Sequence, residues 1–414
     1  MDTGTGWRAF TPAVQRFFLA TVVNMVGSGM FFAFIFIYLD DVRGFSGKAT
    51  GLAVGVTPLA VVATTPVAGW MSDRFGARRI LTAGCLLAIV AGFAYAFVST
   101  LVAALTTGFL MGVANGLWFT GQSALLSAIV PSHLRPAMSG FQRTALNVGA
   151  GVGGVIGGLI VDRSSLVSFQ WMFVINALTS VLFLVCLPAM PTGRVAHEPG
   201  ADATGVPKQA VRPSGYREVL RDRFFLGLLT SDLGVAFGFG FLFGMMPVYG
   251  VKIGISERMV GVLFMIGAVT VVVVQLPMLR WVRGRRRMRC LAVMNALFLV
   301  AFVLSGATVS MPTWAAITVL GLGQAVGGFG ESILGAVRQP LTADLAPAPL
   351  IGRYFGLAAM VFQGSMGAAN ALGGVLLDVS LRGIWVVAAV LAVWGLVRSL
   401  WLERRIPAHL RLSH

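Results

Sequence analysis

Charge is what this sequence has least of. Only 11% of its 414 residues are Asp, Glu, Lys or Arg, where a soluble domain carries roughly a quarter. Acidic residues are the scarcer sign, 15 against 31 basic ones. Cysteine is nearly missing: Cys85, Cys186 and Cys290 lie in or beside apolar runs, at no metal-ligand spacing, and imply no disulfide framework. The four histidines, His133, His197, His409 and His414, fall in polar segments, which excludes a histidine proton relay at membrane depth. The sequence has no phosphate-binding loop, and no nucleophile–base pair or metal-ligand cluster within its apolar runs. An ATP-driven pump and a membrane enzyme are therefore set aside, and no cofactor or metal is expected. Residues 1–13 lack the basic start, apolar core and small-residue cleavage site of a signal peptide, so the first apolar run is expected to stay as a membrane helix.

What is abundant is apolar surface, at 57% of residues, together with 52 glycines. A helix needs about 20 mostly apolar residues to cross the hydrocarbon layer. The chain offers twelve such runs, near 14–39, 49–71, 80–98, 101–130, 138–161, 169–188, 224–248, 257–280, 290–309, 313–345, 352–378 and 383–402. Inside a bilayer only helices satisfy every backbone group within one segment, so these runs predict an all-α membrane protein. Glycine is frequent where membrane helices approach closely, and Pro340 predicts a kink in the tenth span.

The formal charge of +16 invites a nucleic-acid reading, which the placement of the charges rejects. With the loops alternating sides, 25 of the 31 basic residues share one side with both termini. Only Arg43, Lys48, Arg163, Lys252, Arg258 and Arg382 fall on the other. That asymmetry is the positive-inside signal and predicts cytoplasmic termini in a multi-pass protein of the cytoplasmic (inner) membrane. The expected electrostatic partner is anionic membrane lipid rather than nucleic acid.

The longest hydrophilic stretch, residues 189–223, carries Pro191, Pro199, Pro207 and Pro213 and reads as a cytoplasmic linker, with a short amphipathic helix around Tyr216–Arg223. It divides the chain into 1–188 and 224–414, each with six spans. The halves resemble each other. Arg16-Phe17-Phe18-Leu19 opens the first span and Arg223-Phe224-Phe225-Leu226 the seventh; Gly157-Gly158 with Asp162 ends the fifth, and Gly373-Gly374 with Asp378 the eleventh. Repeated halves with a site at their interface are the common build of secondary transporters.

Between the second and third spans stands Gly69-Trp70-Met71-Ser72-Asp73-Arg74-Phe75-Gly76-Ala77-Arg78-Arg79. It resembles the loop signature of the major facilitator superfamily, Gly-x-x-x-Asp-Arg-x-Gly-x-Arg-Arg. The resemblance implies two pseudo-repeated six-helix bundles, transport by alternating access, and a conformational latch built on Gly69, Asp73, Arg74, Gly76, Arg78 and Arg79. Physically, Gly69 permits close helix approach, Gly76 a tight turn, and Asp73 can meet a helix N-terminus or a basic partner. The matching second-half loop, Arg280 to Arg289, has no acid and is expected to latch differently. In the fifth span, Gly149, Gly153, Gly154, Gly157 and Gly158 resemble the glycine motif of drug/proton antiporters, with Gly154 in place of a proline; the same spacing also describes an ordinary glycine-packed helix. Many members carry an arginine early in the fourth span, where Gly108 or Phe109 stands here, so a mechanism using that arginine is not expected.

In such a fold the first, fourth, seventh and tenth helices are expected to line the cavity. Here they bring Asn24, Asn115, Asp232 and Glu331 to membrane depth, with Gln122 and Arg338 at matching offsets and Arg143 on the fifth. Intramembrane ionisable groups are functional hypotheses by default, so Glu331, then Asp232, is the proton-coupling candidate. The plainer alternative is a structural Glu331–Arg338 pair, two helical turns apart. Asn24 and Asn115 read as interhelical hydrogen-bond groups or as substrate contacts, and Arg143 as a counter-charge or a helix entry. Phe31, Phe32, Phe34, Phe36, Trp118, Phe119, Phe237, Phe239, Phe241, Phe243, Met245 and Met246 would suit a lipophilic substrate or simply face lipid. The leading expectation is proton-coupled efflux of a lipophilic small molecule by a monomer; the alternative is a proton-coupled symporter importing a nutrient. For topology, single cysteines replacing Arg43 and Lys208 should label oppositely with a membrane-impermeant thiol reagent on intact cells. Position 43 should react and position 208 should not; labelling at 208 would reverse the orientation.

Overall fold

The computed structural model describes residues 10–131, 134–189, 216–347 and 350–412. The 189–223 linker falls mostly outside them, as do Lys208, His133, His197 and His414; Asp73 is helical in backbone, but its side chain lies outside the described set.

Among the described residues, twelve helices are long and apolar enough to cross a membrane: α1 (Pro12–Val42), α2 (Gly47–Ser72), α3 (Ala77–Tyr95), α4 (Leu101–Ile129), α5 (Gly140–Ile160), α6 (Leu166–Cys186), α7 (Arg223–Lys252), α8 (Glu257–Val282), α9 (Arg287–Ser310), α10 (Thr313–Leu345), α11 (Arg353–Val379) and α12 (Leu381–Glu403). Their starts are chemically marked. Side-chain oxygens of Thr11, Ser46, Thr100, Asp222 and Ser380 accept from the exposed amides of α1, α2, α4, α7 and α12, as N-caps do. A short helix, Tyr216–Val219, precedes α7. The helix of α10 continues through Pro340. Val386, Val390, Val393 and Val397 stay exposed along one stripe of α12, as a lipid-facing surface requires.

The helices form two six-helix bundles with one packing plan. In the first, α1 packs on α5 and α6, α4 on α2 and α3, and α3 on α6; in the second, the same pairs recur with every number raised by six. Hydroxyls repeat the plan. Tyr38 at the end of α1 donates to the carbonyl of Tyr95 at 2.8 Å, and Tyr249 at the end of α7 donates to that of Ser305 at 2.9 Å. The bundles meet along two seams, α2 with α11 and α5 with α8. Both seams are built on glycine. A Cβ added to Gly374 would stand 2.1 Å from the Gly47 carbonyl oxygen, and one added to Gly261 2.3 Å from that of Gly154.

The glycine motif of α5 divides between two neighbours. Added Cβ atoms at Gly149, Gly153 and Gly157 would strike α1, whereas those at Gly154 and Gly158 face α8. One helix is thereby held tightly inside its own bundle and against the other.

The two ends of the molecule differ. At the arginine-rich end, the second-half loop finds its acids outside itself: buried Arg287 pairs with Asp344 of α10 at 2.6 Å, and Arg286 and Arg289 reach Glu403 of α12 at 3.0 and 3.5 Å. In the first-half loop, Gly76 links α2 to α3 at φ +91°, the conformation its predicted tight turn requires. Gly69 departs from expectation: among the described residues nothing stands within 4 Å of an added Cβ, so it brings none of the described helices close. Arg74 lies over the rings of Trp70 and Phe75, and Arg79 is exposed.

At the opposite end the bundles are tied across both seams and also between α1 and α7. The Asp378 carboxylate accepts from the amides of Gly47 and Lys48, both at 3.0 Å, at the N-terminus of α2. Lys252 pairs with Asp40 at 2.8 Å and Arg163 with Glu257. Asp162, the repeat counterpart of Asp378, bonds instead within its own loop to the amide and hydroxyl of Ser164, which hold its carboxyl below the usual carboxylate range.

A residue larger than glycine in either seam must part the bundles at this end. In a background free of native cysteines, Thr50→Cys, buried in α2, should resist an impermeant maleimide. Adding Gly374→Leu should make it reactive. Equal protection with and without the leucine would show that the seam does not close this end.

Candidate functional site

Between the bundles lies a cavity of about 990 Å³. Its wall comes from α2 around Val61–Pro66, α4 around Phe119–Ser127, α5 at Arg143, α7 between Leu229 and Phe239, α10 between Glu331 and Thr342, and α11 between Phe355 and Gln363. Apart from Phe239, just past the middle of α7, each stretch occupies the half of its helix nearer the arginine-rich end, so the cavity belongs to that end while the opposite end is tied shut.

Two ion pairs sit in an otherwise mainly apolar wall. Arg143 of α5 reaches Glu331 of α10 at 3.4 Å, crossing from one bundle to the other. Arg338, also on α10, pairs with Asp232 of α7 and bonds the Thr342 hydroxyl within its own helix. The expected Glu331–Arg338 pair is therefore not made. Seven residues do place both on one face of α10, but each finds its partner on another helix, where no i,i+7 span has to be bridged. Asp232 stands where α7 breaks between Arg223–Ser231 and Leu233–Gly240, and the helix later widens to a π turn over Phe241–Met245. Such irregular backbone at depth is tolerated where it lines a cavity or is buried in protein.

The pairs leave polar atoms over. The Nε of Arg143 and the Oδ1 of Asp232 are buried without a hydrogen-bond partner among the described residues. Orphaned donors and acceptors in a cavity wall are costly unless something binds them. The cavity is a mainly apolar chamber of the size that takes a small organic molecule, with the two ion pairs and the hydroxyl and amide side chains of Thr65, Ser123, Gln339 and Gln363 among its polar points.

The remaining sequence candidates divide. Phe119 and Phe239 line the cavity, with Asp232, Glu331, Arg143 and Arg338. Helix α1 supplies no lining residue, against expectation: Asn24 turns into its own bundle and donates to Ser180 of α6 at 2.9 Å. Gln122 likewise donates to Thr21 of α1 at 3.3 Å, and Trp118 is buried beside Phe183, ring centroids 5.8 Å apart. Asn115 is half-buried and outside the wall. Phe31, Phe34, Phe36, Phe241, Met245 and Met246 are core residues. What sequence reasoning missed is α11, which brings Phe355, Met360, Phe362 and Gln363, and α2, which brings Thr65. The repeat carried the signal, because it makes α2 and α11 seam helices that reach both bundles.

Two helical bundles around a cavity nearer one end, with ties between the bundles at the other, have the build of a membrane transporter. A family profile places it: the Major Facilitator Superfamily matches residues 17–326, and the chain belongs to that superfamily. It is 21% identical over 355 residues to the uncharacterized MFS-type transporter YqjV of Bacillus subtilis (strain 168), covering 84% of this chain and 83% of that protein. It is 25% identical over 162 residues to the quinolone resistance protein NorA of Staphylococcus aureus, a match spanning 39% of this chain and 42% of NorA. The fold matches a solved POT family transporter in complex with 5-aminolevulinic acid at a TM-score of 0.75, with 12% identity and 96% of each chain covered.

Breaking a buried pair by removing one partner strands the other charge and costs about 3–5 kcal/mol. Arg338→Leu should therefore lower the melting temperature of the purified protein markedly, and adding Asp232→Leu should recover most of the loss. A single variant as stable as the parent would show that the pair is not holding α7 to α10.

Proposed function

We propose that this chain is a proton-coupled efflux transporter that moves a lipophilic small molecule across the cytoplasmic membrane by alternating access. The moving units are the bundles 1–188 and 224–414, joined by the linker 189–223, in a monomer with both termini in the cytoplasm. The arginine-rich end then faces the cytoplasm, and the cavity is in its inward-open state, ready to load substrate.

The observation that carries this reading is the Arg143–Glu331 pair. It joins the two bundles beside an apolar cavity, so the charge on one carboxyl group bears on the relation between the bundles. Protonation removes the attraction to Arg143 and unties that contact; loss of the proton restores it. A substrate whose polar group meets the Arg143 guanidinium competes with the same carboxylate. Proton and substrate then act on one site and one conformational equilibrium, which is what antiport requires. The mainly apolar wall and the partial likeness to NorA, named for quinolone resistance, support a lipophilic cargo. Asp232 is the second coupling candidate, tied to α10 rather than to the other bundle.

At the outer end, the tie of Asp378 to α2 holds the transporter closed while the cavity loads. The loop signature around Asp73 is the proposed latch of the opposite, outward-open state.

Glu331→Gln mimics the protonated acid. In vesicles it should abolish accumulation driven by a proton gradient while leaving downhill substrate exchange measurable, and substrate affinity should lose most of its pH dependence. If the variant accumulates substrate against a gradient as the parent does, Glu331 is not the coupling group and the role passes to Asp232. Substrate uptake driven by inward proton flow in right-side-out vesicles would instead establish a symporter.

A further inference from the structure

Glu331 has a second neighbouring space. On its outer side lies a chamber of about 40 Å³, lined by Asn147 and Gly151 of α5, Phe243 of α7, Phe264 and Gly267 of α8, and Gln324 of α10. Glu331 and Phe239 line both this chamber and the large cavity, so they form the wall between the two. Arg143 lines only the large cavity. The carboxyl group thus stands between a wide space at the arginine-rich end and a narrow one toward the opposite end.

The chamber has the size and chemistry of a water site. Its volume suits a water or two, and an ordered water needs two to four polar partners. Three polar side chains meet there: Asn147, whose Nδ2 is engaged with the Arg143 carbonyl at 3.1 Å and whose Oδ1 remains, Gln324, and Glu331. The Oε1 of Gln324 is turned toward α8, where a Cβ added to Gly267 would stand 3.3 Å from it. The rest of the wall is aromatic or small, with Leu242 the one larger aliphatic side chain.

The roof of the chamber is the α5–α8 seam. Gly151 lies nine residues, about 14 Å, short of the outer end of α5 at Ile160. A Cβ added there would stand 2.7 Å from that of Ala268, and beyond it Gly154 meets Gly261. The contact that must part for the outer end to open is the contact that covers this chamber.

We infer that the chamber is a proton-entry site: water held by Asn147 and Gln324 delivers a proton from the outer side to Glu331 when the α5–α8 seam parts, by a route separate from that of the substrate. The step is a simple transfer. An O–H bond of a protonated water breaks, one forms on the Glu331 carboxyl, and neutral water remains in the chamber. In the inward-open state the proton leaves through the large cavity. The charged groups around the site are Arg143 from α5, and Asp232 and Arg338 in the same cavity from α7 and α10; the lining residues of α8 and α9 do not titrate. Asn147 and Gln324 are positioning residues, acting through the water.

The inference rests on the proton-coupled reading, and one experiment separates the two. The full-length protein is reconstituted into vesicles holding a pH-sensitive dye, and proton flux and downhill substrate exchange are read in parallel. Gln324→Leu should cut substrate-dependent proton flux about tenfold or more and leave exchange near the parent rate. Gly267→Ala, which crowds Gln324 from α8, should act in the same direction. Gln324→Ser, which keeps a hydroxyl and makes room for another water, should retain flux. Proton flux at the parent rate in both Gln324→Leu and Gly267→Ala would overturn the entry site and leave the coupled reading standing. Equal loss of flux and exchange in both would overturn it too, showing a structural role. A parent protein that moves no protons with substrate would remove the coupled reading and the entry site together.

Discussion

A carboxylate far from either membrane face needs a cation, and Glu331 takes its cation from the other bundle. Much else in the structure follows from that demand. The Arg143–Glu331 contact requires α5 and α10 to approach across the cavity, which in turn requires α5 to sit close to α8. The approach is possible because Gly154 meets Gly261 where any side chain would push the helices apart. The same demand explains why the second pair, Arg338–Asp232, stays inside one bundle: it neutralises its own acid, so the charge that bears on both bundles is left to Glu331. Each charge at this depth has a partner whose removal would strand it, and the cavity that holds both pairs is neutral overall while remaining mainly apolar.

The duplicated plan makes its exceptions informative. Tyr38 and Tyr249 do the same task in the two bundles, and helix pairs recur with their numbers raised by six. Against that background Asp162 and Asp378 diverge. Both end a seam helix, yet only Asp378 crosses to the other bundle and meets the amide-rich start of α2, where a negative charge is favoured. The loops diverge as well: the first half carries its acid within the signature, while the second borrows Asp344 and Glu403 from α10 and α12. A transporter with two identical halves would have no preferred resting state, and these departures give each end its own strength of closure.

The number, placement and repetition of the helices were legible in the sequence because the bilayer imposes a length and an apolarity on every span. Predicted runs such as 101–130 and 313–345 lie within a residue of Leu101–Ile129 and Thr313–Leu345. The turn at Gly76 was legible too, because a positive φ leaves little choice of residue. The site was legible in its members and not in its pairing. Glu331, Asp232, Arg143 and Arg338 all stand out as charges at depth, but the sequence shows only distances along one helix, and that measure favoured Glu331–Arg338 over the partners actually taken. Aromatic side chains on α1 and α7 carried no such signal, since a phenylalanine facing the core reads like one facing a cavity; of those proposed, Phe119 and Phe239 reach it. Asn24 and Gln122 failed as cavity residues for a related reason. A polar side chain at depth needs a partner somewhere, and these found theirs inside the first bundle, at Ser180 and Thr21.

Placing an acid on a wall between two spaces resolves a conflict that any coupled exchanger faces. Substrate needs a wide, mainly apolar approach, and a bulky cargo standing in it obstructs a proton arriving from the opposite side. On the proposed reading, a narrow chamber beyond Glu331, polar at three points and covered by the α5–α8 seam, separates proton entry from the substrate path without a second ionisable site. The glycines of α5 then have a role beyond close packing. Where Gly151 and Gly154 touch α8 the helices are so close that a Cβ at either would meet Ala268 or Phe264, and parting them there uncovers the chamber beside Glu331.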